Sequence, residues 1–143
     1  MKIKKINKTN EKISNFIYYL RNEKYVRKNS LKNSKILLRN HKIWFQNFFN
    51  KKNLFFLILE KKTLIGYVRL ELNRKIYNTS WALLKKYHGK GYAKNALKYA
   101  TKNKNLRYRA LIKKNNLASL KIAFYSEFQV KKTINNIIYL YKN

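Results

Sequence analysis

Apolar positions along the chain follow two rhythms in turn. Residues 2–6 alternate weakly, enough for a short first strand. From Glu11 onward, Ile13, Phe16, Ile17 and Leu20 recur at three- and four-residue steps, which is one face of a helix. The stretch 25–38 is basic and polar and reads as a loop or a broken helix. A second helix is expected at 40–51, with Ile43, Trp44, Phe48 and Phe49 turned inward. The rhythm then changes. Leu54 to Leu59 is an unbroken apolar run, as expected for a strand covered on both faces. After a turn at 60–63 the chain alternates: Leu64, Gly66, Val68, Leu70 and Leu72 fall on one face, Ile65, Tyr67, Arg69 and Glu71 on the other. Residues 77–84 read as a strand. Residues 89–102 read as a helix with Ala93, Ala96, Leu97 and Ala100 in one stripe. A strand at 106–112, a helix at 115–126 and strands at 128–132 and 134–141 complete the pattern.

The predicted order is β-α-α-β-β-β-α-β-α-β-β, with no internal repeat, linker or second domain. Strands and helices mixed in this way form layers around one sheet. The expectation is a single α/β (α+β) domain over residues 1–143. That length buries a core without disulfide or metal staples.

Composition changes the picture in two ways. The chain carries 35 Lys+Arg against 5 Asp+Glu, a formal net charge of +30. Charge of that size suits a polyanion-binding tail, but 45% of the residues are hydrophobic and 15% aromatic, enough for a packed core. Lys, Asn, Ile, Tyr and Phe, all written in A/T-rich codons, make up more than half of the chain. Compositional drift is therefore a simpler source of the charge than selection for nucleic acid, which is expected to bind only non-specifically. There is no aspartate and no cysteine, and only His41 and His88 are histidines. Disulfides, thiolate metal sites, a Cys nucleophile and a two-carboxylate glycosidase site drop out, and no metal is expected. No secretory pattern is evident and no apolar run is long enough to cross a bilayer. The expected location is cytoplasmic, with no membrane partner.

The segment that carries chemistry runs from Trp81 to Ala93: an apolar strand, a basic turn, then Gly89-Lys90-Gly91 opening a helix. Two of the chain's three glycines sit there. Glycine weakens a helix by roughly 1 kcal/mol relative to alanine, so a pair of them at one turn suggests close approach of the backbone to a ligand. First-turn N–H groups lack intrahelical partners and favour negative charge; pyrophosphate is a natural occupant, with Lys85, Lys86 and Lys90 adding positive charge. A plain glycine turn is the competing reading. The segment matches neither the dinucleotide fingerprint nor the Gly-Lys-Ser/Thr loop.

His88-Gly89-Lys90-Gly91-Tyr92-Ala93 resembles the acyl-CoA-binding motif of the GNAT superfamily of N-acetyltransferases, in which Arg or Gln stands where this chain has His88. Asn116-Leu117-Ala118-Ser119 resembles the family's helix start after the fifth strand, although Asn and Ser are also ordinary helix caps. Phe128 and the Ile65-Gly66 pair fall where the family often has Gly-Phe and Ile-Gly. The resemblance spans essentially the whole chain. It implies a mixed, mostly antiparallel sheet of about seven strands flanked by four helices, with acetyl-CoA as co-substrate. The pantetheine would lie between splayed fourth and fifth strands. Implied cofactor contacts are Leu83, His88, Gly89, Lys90, Gly91, Tyr92, Ala93, Asn116 and Ser119.

A narrower likeness lies in Leu20-Arg21-Asn22, Val26-Arg27, His41 and Trp44-Phe45. These resemble GNAT members that acetylate amino sugars, often nucleotide-linked, in surface-glycan pathways of the pseudaminic type. Arg21, Asn22, His41 and Trp44 are the implied acceptor contacts, with core packing the alternative for Trp44 and solvated capping for Arg21 and Asn22. The implied reaction is direct attack of an amine on the thioester, with the Leu83 N–H available to polarise the carbonyl. Many relatives place a Glu where this chain has Asn78, which leaves Glu71 as the candidate base, or else a surface acid paired with Arg69 or Arg74. The usual acid Tyr falls at Ala123 here, and Tyr125 is the nearest substitute. A protein N-acetyltransferase and a non-enzymatic nucleic-acid-binding domain stand as alternatives, and a homodimer is left open.

Overall fold

The unbroken apolar run becomes the second strand of a single seven-stranded sheet. The computed structural model describes residues 1–143. Its elements are β1 (Lys2–Ile6), α1 (Glu11–Arg21), α2 (Lys24–Asn29), α3 (Leu38–Phe48), β2 (Leu54–Glu60), β3 (Thr63–Asn73), β4 (Ile76–Leu83), a 3-10 turn (Lys85–Tyr87), α4 (Tyr92–Ala100), β5 (Arg107–Lys113), α5 (Leu117–Tyr125), β6 (Gln129–Ile134) and β7 (Ile137–Lys142). The strand order is β1-β2-β3-β4-β5-β7-β6. Every neighbouring pair is antiparallel except β4 and β5, which run parallel. This is the mixed, mostly antiparallel α/β sheet expected.

The sheet is covered on both faces. Phe56 and Ile58 of β2 join Val68 and Leu70 in a core under α4 and α5. Phe55 and Leu57 point the other way, into a smaller core with Ile17, Leu20, Phe45 and Phe48 of α1 and α3. Burial on both faces is why β2 has no alternation to read. α1 starts on Asn10, whose side chain accepts from the Ile13 N–H, and has Glu11 in its first turn and Arg21 in its last, both favourable to the helix dipole.

Three expectations are corrected. The sheet carries five helices, not four, because part of 25–38 forms α2; none of its residues is buried, so it shows no apolar stripe. The inward face of α3 is His41, Phe45 and Phe48, whereas Ile43 is 53% exposed. The alternation of β3 breaks near its start. Leu59 pairs with Leu64 and Ile58 with Gly66, leaving Ile65 as a bulge residue that shifts the strand's facing by one. Leu64 therefore packs with the smaller core and Ile65 with the larger. Gly66 sits in that bulge because a Cβ there would overlap the Ala82 carbonyl oxygen and the Leu83 side chain.

Candidate active site

β4 and β5 pair over only three rungs, Ile76–Arg107, Tyr77–Tyr108 and Asn78–Arg109. Beyond Asn78 they separate. β4 stays zipped to β3 as far as Leu83, and Leu84 donates its N–H to the Ile65 carbonyl at 2.7 Å. Backbone groups alternate sides along an antiparallel strand. The peptide groups of Trp81 and Leu83 therefore face away from β3, into the opening that β5 has left, outside any strand ladder. The carbonyl of Leu83 is satisfied by side chains instead: the Tyr25 hydroxyl donates to it at 2.7 Å and His88 Nε2 at 2.9 Å. A carbonyl only accepts, so His88 carries its proton on Nε2.

The turn after β4 is built to expose amides. Gly89 and Gly91 take φ of 75° and 84°, left-handed values that cost other residues about 1–2 kcal/mol. Gly91 caps α4 without any side-chain bond. The N–H groups of Gly89, Lys90 and Gly91 have no acceptor within the chain, and those of Tyr92 to Lys94 open the helix, where no intrahelical partner exists. Side chains leave this surface clear. An ideal Cβ at Gly89 meets nothing within 4 Å and one at Gly91 meets only the Asn95 amide at 3.9 Å. Ala93 turns into the core, and Tyr92 lies edge-on to Tyr87. The Lys86 and Lys90 ammonium groups sit over the Tyr87 ring, at 5.2 and 5.9 Å. His88, expected to meet the ligand, ties the turn to β4.

On the far side of the opening, Asn116 caps α5 by accepting from the Ser119 backbone N–H at 3.2 Å, the capping that its identity suggested; the Ser119 hydroxyl takes no part in it. Tyr125 is 42% exposed, with Lys94 and Lys98 ammonium groups over its ring at 4.1 and 5.0 Å. Ala123, one helical face away, is fully buried.

The opposite face of the sheet gathers the other predicted residues. Two guanidiniums lie over the Trp44 ring: Arg21 at 4.0 Å from its centre and Arg69 at 4.9 Å. His41 is fully buried and touches no solvent-facing surface. Its Nδ1 accepts from Arg21 Nη1 at 3.0 Å and its Nε2 donates to the Ser14 carbonyl at 2.9 Å. Burial, then the adjacent Arg21 charge, pushes the imidazole down to about 4. It is neutral at pH 7 and orients Arg21 rather than contacting a ligand. Burial and then the neighbouring Arg69 charge lower Arg21 to about 10, so it stays cationic. Asn22 spends its amide on Ile36, accepting from its N–H at 2.7 Å and donating to its carbonyl at 3.0 Å; it braces the loop after α2. Glu71 lies 3.4 Å from Arg69 Nε and is the only acid in β3, β4 and β5. Arg69 also donates to Ser80 Oγ at 2.6 Å, and its Nη1 is buried without a partner. Arg109 donates to Asn78 Oδ1 at 2.8 Å.

Arg69, Arg109 and Tyr25 were not legible as site residues. The alternation of β3 does place Arg69 beside Tyr67 and Glu71, which was a usable signal; nothing in the sequence marks the other two. No three or more His, Cys, Asp or Glu residues are grouped to hold a metal ion, and no helix is long and apolar enough to cross a membrane.

A mixed sheet forced apart between two parallel strands, with an amide-lined turn at the end of the first, defines the architecture of an acyltransferase domain. The chain belongs to the GNAT acetyltransferase family: the model of the acetyltransferase (GNAT) domain matches residues 8–129. No curated protein sequence matches it significantly. Solved structures share the fold at low identity. The spermidine N-acetyltransferase of Vibrio cholerae, in complex with CoA and spermine, superposes with a TM-score of 0.79 at 17% identity, covering 98% of this chain and 94% of that one. A ribosomal-protein-alanine N-acetyltransferase from Brucella melitensis gives 0.79 at 15%, covering 99% of each. The Campylobacter jejuni N-acetyltransferase PseH, in complex with acetyl coenzyme A, gives 0.71 at 18%, covering 99% and 96%.

Proposed function

We propose that this acetyltransferase moves the acetyl group of acetyl-CoA onto the primary amine of a small anionic acceptor, an amino sugar in nucleotide-linked form. The observation that carries the reading is the opening between β4 and β5, with free amides at the turn beyond it. The residues present fit the cofactor: Gly89 to Lys94 offer N–H groups to a diphosphate, and Trp81 and Leu83 offer a strand edge to an extended arm. When bound, acetyl-CoA supplies an acyl carbonyl already activated as a thioester.

The acceptor side is where charge decides. Arg21, Arg69 and Arg109 share a surface whose strands hold one carboxylate, Glu71. Such a surface repels polyamines and aminoglycosides and favours an acceptor with phosphate or carboxylate groups. Trp44 holds the Arg21 and Arg69 guanidiniums close together on this surface, where they can meet a phosphate or carboxylate. The same positive field lowers the proton affinity of a nearby amine. This partly replaces the carboxylate missing at Asn78, and it leaves Glu71 to take the proton through water. Tyr125, exposed and between two lysines, is a weak candidate for the acid.

Two measurements test the reading. Acetyl-CoA should raise the unfolding midpoint; no shift at millimolar ligand rejects cofactor binding. Release of free CoA thiol is then followed with nucleotide-linked amino sugars, free amino sugars, spermidine and N-terminal peptides. Turnover with nucleotide-linked amino sugars above all others is expected. Preference for a peptide would replace this acceptor by a protein N-terminus, and preference for spermidine would refute the charge argument.

A further inference from the structure

α2 lies at the mouth of the opening, with Tyr25 and Val26 half-buried against the smaller core. None of its residues is buried. It is tied to the strands on each side by side-chain bonds. On the β4 side, the Tyr25 hydroxyl donates to the Leu83 carbonyl. On the β5 side, Lys113 Nζ donates to the Lys28 carbonyl at 2.8 Å and to Asn33 Oδ1 at 3.0 Å. Tyr25 also lines two open hollows of about 400 and 530 Å³, one toward Leu84, Lys85 and Lys86, the other toward Arg27, Lys28 and Asn33.

The Leu83 carbonyl is where these facts meet. It faces the opening, and a carbonyl oxygen has two lone pairs. Both are taken, by Tyr25 and by His88. The two donors touch, ring edge to ring face, with centroids 5.3 Å apart. Burial raises the Tyr25 hydroxyl to about 12, so it remains a donor through the physiological range. A ligand that joins an open strand edge pairs with its N–H and C=O groups in turn. Donating to Leu83 therefore displaces one of the two resident donors. His88 is anchored in the turn, three residues before the cap of α4, whereas Tyr25 is on the helix with no buried side chain.

We propose that Tyr25 is a positioning residue through which α2 responds to occupancy of the β4 edge: its hydroxyl holds α2 closed on Leu83 until an edge-binding ligand takes that carbonyl, and α2 is then released on the acceptor side. The proposal rests on the cofactor reading above.

Amide hydrogen exchange with CoA as the probe tests it. In the wild type, saturating CoA is expected to protect the turn at 89–94 and to speed exchange across Lys24–Asn29 severalfold. In Tyr25→Phe, which keeps the ring and removes only the donor, α2 is expected to exchange fast with or without CoA. CoA should bind that variant about fivefold more tightly, since a competing hydrogen bond worth about 1 kcal/mol is gone. The wild-type measurement is decisive alone, so the outcome does not depend on how well the variant folds. Protection at 89–94 with α2 unchanged or slowed overturns the role of Tyr25 while leaving cofactor binding intact. Absence of any CoA effect, with no shift of the unfolding midpoint, overturns both.

Discussion

His41 illustrates how partners decide the work of a side chain. The resemblance of its segment to amino-sugar acetyltransferases implied a ligand contact. Full burial, with Arg21 on one ring nitrogen and the Ser14 carbonyl on the other, makes it a brace that is neutral at pH 7. Its lowered pKa has a stability consequence. Unfolded, the imidazole titrates near 6.5; folded, near 4. Between those values the unfolded chain binds the extra proton, so stability is fully present above pH 6.5 and about 3 kcal/mol of it is lost by pH 4. Urea midpoints measured from pH 7.5 to 4.5 should fall, and His41→Gln should flatten the decline; an equal decline in the variant would assign the effect elsewhere. Tyr125 makes the opposite case. It was singled out by position, but it is solvent-facing and stacked under two lysines. Tyr125→Phe should lower kcat less than tenfold, and a larger loss would restore it as the acid. The glycines of the turn were readable because a glycine-poor chain has few reasons to place two together. Arg69 and Arg109 were not, because in a chain with 35 basic residues no single cation stands out.

Among the elements, those with strong periodicity were placed within a few residues, and the failures have physical causes. α2 is a single short helix whose apolar residues Tyr25 and Val26 are half-buried against the smaller core, too little for an apolar stripe; side-chain bonds to distant backbone complete its attachment and leave no trace in local sequence. The inward face of α3 was misjudged because four of the six positions from Trp44 to Phe49 are aromatic, and the choice among them is made by the core opposite. The bulge at Ile65 was invisible to alternation, yet Gly66 marked it. Gly66→Ala would drive a methyl group into the Ala82 carbonyl and the Leu83 side chain. A loss of about 1–3 kcal/mol is expected, together with weakened CoA binding, because the same displacement moves the edge of β4. Chemical denaturation combined with calorimetric titration separates the two effects, and a variant as stable as wild type would remove the steric explanation of this glycine.

For the molecule as a whole, topology was legible because layers of strand and helix follow from the order of elements, while chemistry was legible only where a motif concentrated it. The net charge of +30 is spread over the surface with only two ion pairs, Met1–Glu60 and Arg69–Glu71, to offset it. Self-repulsion of that size is screened over about 10 Å at 0.1 M salt. The melting temperature should therefore rise by several degrees between 20 and about 300 mM salt. Over the same range, binding to RNA or heparin should disappear without base preference. Polyanion binding that survives high salt would mean that the basic surface is organised for a partner.

The three-rung junction at 76–78 and 107–109 also gives the domain a fulcrum. One jaw is the antiparallel group β1 to β4 and the other is the group β5 to β7, and each jaw is stiffened by the pairing along its own strands. Small rotations at Tyr77, Asn78 and Arg109 are magnified at the far tips, where Leu83 and Lys113 stand. The width of the jaws is thereby governed from a pivot well away from their tips, and substitutions at Tyr77 in this pivot tune how wide a guest the protein admits.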